Sequence, residues 1–207
     1  MGRVPIDLIM TGLVIATTNK GKLREIKELL KDFPLKITSL ADYPDAPKIE
    51  EDGKTFSQNA LKKAATIALY TGKLTLGEDS GLEVRALGNK PGIYSARFAG
   101  PDATDKKNNL KLLRSLRDVP LKKRQARYRC CAALVDGKGI IDVVTGQCAG
   151  FIALRSKGAN GFGYDPLFFL PHYKKTFGEL DPAVKARISH RSRALKKIKR
   201  SLQQCLQ

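Results

Sequence analysis

No apolar run in this chain reaches the roughly 18 residues that a membrane-spanning helix needs. The greasiest stretch, Val4 to Ala16, is broken by Asp7, and no small-residue cleavage site follows it. Neither a membrane span nor a secretory signal is therefore expected. Cysteine appears four times, at Cys130, Cys131, Cys148 and Cys205, never as C-x-x-C and never with a His at metal-ligand spacing. A thiolate metal site and a disulfide scaffold are thus not expected, and the four read as reduced core residues of a cytoplasmic protein. Internal repeats, low-complexity tracts and long linkers are also missing, which suits a single domain over residues 1–207. Acids are scarce: 20 Asp and Glu stand against 38 Lys and Arg, a net charge of +18. Such an excess attracts polyanions. It fits a nucleotide or nucleic-acid ligand, and equally a solvated basic surface that only sets solubility.

The patterning that is present alternates strand and helix. Leu13–Thr17 reads as a buried first strand. The apolar spacing of Leu23, Ile26, Leu29, Leu30 and Phe33 predicts a helix over 20–31. An acidic, proline-containing loop over 43–53 leads to a second helix from Thr55, where Thr55 and Gln58 have capping-box spacing. Strands are predicted at Leu74–Asp79 and Leu82–Leu87 with Ser80-Gly81 as the turn between them, then a Lys-rich helix over 102–116. Arg127–Val135 and Ile140–Leu154 form a hairpin about Asp136-Gly137, a strong turn signal. A Gly-rich loop over 158–165 follows. The tail is helical from Asp181-Pro182, with no acid after Asp181. Hairpins mixed with crossovers argue for an α/β protein with a mixed sheet.

Four segments carry chemistry. T-T-N-K-G-K, Thr17 to Lys22, joins a strand end to a helix start. Its free amides, the side chains of Thr17, Thr18 and Asn19, and the Lys22 charge suit a phosphate, although the spacing is not that of a P-loop. The acids Glu50, Glu51, Asp52, Glu78 and Asp79 offer hard oxygens to a divalent cation, Asp79 from a strand end. G-A-N-G-F-G-Y-D-P-L-F, Gly158 to Phe168, places Phe162 and Tyr164 where they either stack on a base or anchor the loop. In K-A-R-I-S-H-R, Lys185 and His190 would lie about 140° apart on one continuous helix. They can share a pocket only if the helix breaks near Ser189, with Ser189 capping the next helix.

Taken in order, these segments, with E-E-D-G-K-T-F-S-Q-N-A, P-G-I-Y-S-A-R-F-A-G and T-F-G-E-L between them, resemble the inosine triphosphate pyrophosphatase family from about Leu13 to Leu202. The resemblance implies a long mixed β-sheet flanked by helices, two lobes with a central nucleotide-binding cleft, a homodimer and Mg2+. It implies triphosphate binding by Thr17, Thr18, Asn19, Lys20, Gly21 and Lys22, metal binding by Glu51 and Asp79, and a catalytic base at Asp79. Ser80 would contact substrate, and Phe162, Gly163, Tyr164, Asp165, Lys185, His190 and Arg191 would form the base pocket. Glu78 stands where many relatives have Asp.

The implied reaction is attack of water on the α-phosphorus of ITP, dITP or XTP, releasing pyrophosphate. Hypoxanthine and xanthine carry a carbonyl acceptor at C6, to which Lys185, His190 or Arg191 can donate; adenine presents an amino donor there. Two rival readings remain at this level. One is a Maf-like pyrophosphatase of other nucleotides. The other is a basic nucleic-acid-binding protein, in which Glu51 and Asp79 would have no task.

Overall fold

A computed structural model describes residues 11–206; Val4 to Met10 of the apolar stretch lies outside them. The first strand, β1, is Thr11–Ile15, two residues earlier than the sequence suggests. Helix α1, Lys20–Leu30, starts where Asn19 Oδ1 accepts the Lys22 amide at 3.0 Å. It leads into β2, Leu35–Ser39, a strand absent from the sequence reading; its partly exposed pattern gives no clean alternation. Helix α2, Phe56–Thr71, begins at the expected Thr55 cap and ends at Gly72 in the left-handed region (φ 64°).

Strand β3 runs unbroken through Leu74–Val84, so Ser80-Gly81 is not the turn the sequence suggested. The glycines serve close approach instead. A Cβ at Gly81 would lie 2.3 Å from Gly92 O, and one at Gly77 would lie 2.1 Å from Ala60 O of α2. Past β3, residues 85–87 form a short 3-10 turn rather than more strand. Helix α3 is Asp105–Ser115, capped by Thr104 three residues later than expected. The hairpin is as predicted: β4, Gln125–Asp136, and β5, Gly139–Ile152, with Asp136 Oδ1 accepting the Lys138 and Gly139 amides. Two short strands follow, β6, Phe168–Leu170, and β7, Lys175–Thr176.

The predicted break in the tail is present. Helix α4, Pro182–Ile188, ends at Ser189. Ser189 then caps α5, His190–Cys205, its Oγ accepting the Ser192 amide at 3.1 Å.

The seven strands form one sheet in the order β2-β1-β3-β4-β5-β6-β7, parallel about β1 and antiparallel from β3 onward. Alternation along each strand divides the core between two faces. Leu13, Ile15, Leu76, Cys130 and Ala132 pack with Ile26 of α1 and Leu195 and Ile198 of α5. Cys131 and Ala133 pack with Phe56, Ala60 and Ala64 of α2 on the other face. Cys130, Cys131 and Cys148 are buried free thiols as expected, but Cys205 is exposed at the end of α5.

Candidate active site

The chain leaves β1 through α1 toward β2, then crosses through α2 to β3 on the other side of β1. This reversal makes the β1/β3 boundary a topological switch point, where open α/β sheets leave a crevice at the strand ends. The last β1-side bond to β3 is Ala16 N to Leu76 O at 2.9 Å. Beyond it β3 keeps β4 on one edge and, among the described residues, has no strand on the other. A cavity of about 660 Å³ opens there.

At one end of the cavity lie Thr17, Thr18, Asn19 and Lys22. The loop is held by its own side chains: Thr17 Oγ1 accepts the Asn19 amide at 3.1 Å, and Asn19 caps α1. Its first-turn amides and dipole therefore point at the cavity. Lys20 is exposed and, with Gly21, lies outside the lining. Gly21 instead backs the Phe162 ring, which a Cβ there would meet at 2.8 Å.

Asp79 and Glu51 line the same end, and Lys63 of α2 stands between them. Its Nζ is 3.1 Å from Glu51 Oε2 and 3.8 Å from Asp79 Oδ1. Asn59 is fully buried; its Nδ2 donates to Asp79 Oδ2 at 3.1 Å while its Oδ1 accepts the Gly53 amide at 2.8 Å. Burial, with Glu51 and Glu78 nearby, raises the Asp79 carboxyl above its usual range despite Lys63 and Lys22. That favours proton acceptance. The two carboxylates already share one cation, and among the described residues no cluster of three metal-ligating side chains forms. A pair of carboxylates open to a cavity fits magnesium, which draws its remaining ligands from water and substrate phosphates.

Glu78 lies on the opposite face of β3, buried against Lys22 Nζ at 2.9 Å and Arg191 Nη2 at 3.1 Å. Cys130 Sγ also donates to it at 3.2 Å. Burial works to raise its pKa, but Arg191 and Lys22 outweigh burial and hold it well below the carboxylate range.

The far end of the cavity is built by the α4–α5 junction and the Gly-rich loop. Lys185 Nζ bonds Asp165 Oδ2 at 2.5 Å and Glu25 Oε1 at 2.7 Å. Arg191 Nη1 pairs with Glu25, and its Nη2 donates to Ser80 Oγ at 2.9 Å. Burial works to raise the Glu25 pKa, but Arg191 and Lys185 prevail and lower it. His190 stacks on Tyr128, centroids 4.5 Å apart and planes at 8°. Burial, then Arg191, drives its pKa well below the usual value, so the ring is neutral at pH 7. The Phe162 ring faces Lys185 Nζ at 5.1 Å and the Arg191 guanidinium at 5.6 Å. Asp165 also accepts the Phe162 amide, and Gly163 is fixed by Asp105 and Asn109. Tyr164 takes the anchoring option: its ring is in the core, and its hydroxyl donates to Ser95 O at 2.8 Å.

Thus the expected site residues other than Lys20 and Gly21 line one cavity. Lys63, Asn59, Glu25 and Tyr128 were missed. Asn59 and Lys63 carry a readable signal, polar residues in the apolar register of α2, and Glu25 lies one helical turn from Lys22.

The chain matches the Ham1 family over residues 13–201. The dITP/XTP pyrophosphatase of Desulforamulus reducens is 52% identical to it over 185 residues, 89% of this chain and 92% of that protein. The dITP/XTP pyrophosphatase of Geobacter sulfurreducens is 50% identical over 190 residues, 92% of this chain and 96% of that protein. A solved HAM1 protein from Coxiella burnetii superposes with a TM-score of 0.85 at 39% identity, covering 94% of this chain and 100% of that one. With the family matched along nearly its whole length and the same fold found in solved members, this chain belongs to the Ham1 family.

Proposed function

We propose that this protein hydrolyses deaminated purine nucleoside triphosphates, dITP, ITP and XTP, to the monophosphate and pyrophosphate. The observation that carries the reading is the one-sided hydrogen bonding left at the Lys185 end of the cavity. Lys185 has three N–H donors and two are engaged. The Arg191 Nε–H, which can only donate, is buried without a partner among the described residues. The nearby acids Asp165 and Glu25 are already engaged by Lys185 and Arg191. This end therefore asks for an acceptor, which the C6 carbonyl of hypoxanthine or xanthine provides and the adenine amino group does not. Phe162 is placed to cover one face of the base.

At the other end, the Thr17–Lys22 segment binds the triphosphate through α1 amides and the Lys22 ammonium. Glu51 and Asp79 would hold magnesium, which supplies charge neutralisation to the phosphates when bound. Asp79 takes the proton of the attacking water, and Asn59 keeps its carboxylate turned toward Lys63. Attack on the α-phosphorus breaks the bond to the β-phosphate oxygen, and pyrophosphate leaves. The family resemblance is also the ground for proposing a homodimer, and the unpaired cysteines are the ground for proposing a cytoplasmic place of work. Among the described residues no helix is long and apolar enough to cross a membrane.

The test is pyrophosphate release from XTP, ITP, dITP, GTP and ATP with magnesium and after its chelation. Rapid release from the first three, slow release from ATP and GTP, and loss on chelation are expected. No release from any purine triphosphate overturns the reading.

A further inference from the structure

The cavity uses few of the cations in this chain. After Asp181 there are eight Lys and Arg and no acid. Lys185 and Arg191 are buried in the cavity wall, while Arg193, Lys196, Lys197 and Arg200 are exposed on α5. These four follow i, i+3, i+4, i+7 spacing, so they form one stripe about 10 Å long. The opposite face of α5, Ala194, Leu195, Ile198 and Leu202, is in the core, which fixes the stripe outward.

Among the described residues none of the four cations forms a salt bridge. Three reach neutral carbonyl oxygens instead: Arg193 to Gln147 O at 3.0 Å, Lys197 to Thr145 O at 2.8 Å, and Lys196 to Arg187 O at 3.4 Å. Asp142 of β5 is turned to Ser201 Oγ at 2.5 Å. The stripe is therefore a row of charge that keeps spare N–H donors and, among the described residues, has no protein counterion.

We propose that this face of α5 docks on the phosphate backbone of duplex DNA without reading its sequence, independently of the reaction in the cavity. A duplex carries one negative charge per roughly 1.7 Å of axis, so the stripe spans several phosphates at once. The exposed large hydrophobics among the described residues lie elsewhere, so α5 offers neither a ring to stack unpaired bases nor an apolar anchor for a bilayer. Docking holds the enzyme beside the polymer into which damaged triphosphates would be incorporated.

The experiment is fluorescence anisotropy of a labelled duplex DNA of mixed sequence with the full chain, as salt rises from about 50 to about 200 mM. The variant R193Q/K196Q/K197Q/R200Q is expected to reduce the slope of log K against log salt by about 3 to 4, at roughly 0.9 per phosphate contact. The milder K196Q/K197Q is expected to lose about half as much. A control with the same charge change elsewhere, K36Q/R114Q/K122Q/K174Q, keeps most of the slope; all four of its positions are exposed. Gln is a good helix former, and thermal melting checks that each variant is folded. Equal losses in stripe and control variants overturn the proposal, as does an unchanged slope in the stripe variant. So does tighter binding to duplex RNA, or binding to anionic vesicles without binding to DNA.

Discussion

Glu78 and Asp79 are adjacent in β3 and face opposite sides of the sheet, Glu78 toward Arg191 and Lys22, Asp79 toward Asn59 and Lys63. Two carboxylates one residue apart therefore hold different work. Glu78 neutralises buried cations, and Asp79 is the proposed base. Asp79→Asn should keep the melting temperature and cut pyrophosphate release roughly 10²–10⁴-fold. Glu78→Gln should do the converse in stability, because it leaves the Lys22 ammonium without its anion and the Arg191 guanidinium with Glu25 alone, at a cost of about 3–5 kcal/mol. Initial rates on XTP beside urea denaturation separate the two. Equal stability losses would remove the division of labour.

Asn59 links the acidic loop to β3 through one amide group, bonding Gly53 N and Asp79 at once. Asn59→Leu removes both bonds at similar volume, freeing the Asp79 carboxylate to rotate and the loop bearing Glu51 to drift. Activity should fall about 10–100-fold, as for other outer partners that orient a site. Asn59→Gln, with the same amide on a longer arm, should recover part of it. A positioning role predicts that kcat falls more than KM rises; a loss confined to KM would contradict it.

The sequence made most of the cavity lining readable and hid the partners that hold it. Thr17–Lys22 and the α4–α5 junction are local: a cap, a helix start and a helix break, each decided within a few residues. The Ser189 break followed from angular geometry, since one straight helix could not bring Lys185 and His190 together. The reading of Ser80-Gly81 as a turn failed because glycine signals a turn and a close approach alike. Here Gly81 makes room for the backbone at Gly92, a contact made only by the folded chain. Glu25 was hidden for a similar reason: its partners Lys185 and Arg191 lie at the far end of the sequence. The short strand Leu35–Ser39 has too little alternation to declare itself.

His190 gives stability a pH dependence. Its folded pKa is well below the ordinary 6.5, so the unfolded chain binds this proton and the folded one does not. The stability it permits is complete above about pH 6.5 and is lost as the pH falls below that, by up to about 1.4 kcal/mol per unit. His190→Phe keeps a ring against Tyr128 without a titrating nitrogen. Its unfolding free energy should fall less steeply between pH 6.5 and 5 than that of the wild type, in urea titrations at each pH. Parallel slopes would assign the pH dependence to other groups.

Selectivity should reside in the donors around Lys185. Lys185→Met keeps the length and apolar stem of the side chain while removing its N–H groups. Burial already raises the Asp165 pKa, so without its cation Asp165 can take up a proton rather than remain as a buried charge. A hydrogen bond from a charged donor contributes about 1.5–3 kcal/mol, so kcat/KM on XTP and dITP should fall roughly 10–100-fold. Adenine gains nothing from that donor, so hydrolysis of ATP should stay level or rise, and the XTP-to-ATP ratio should collapse. A uniform loss on both nucleotides would mean that Lys185 shapes the cavity without choosing the base, leaving Arg191 Nε as the selective donor.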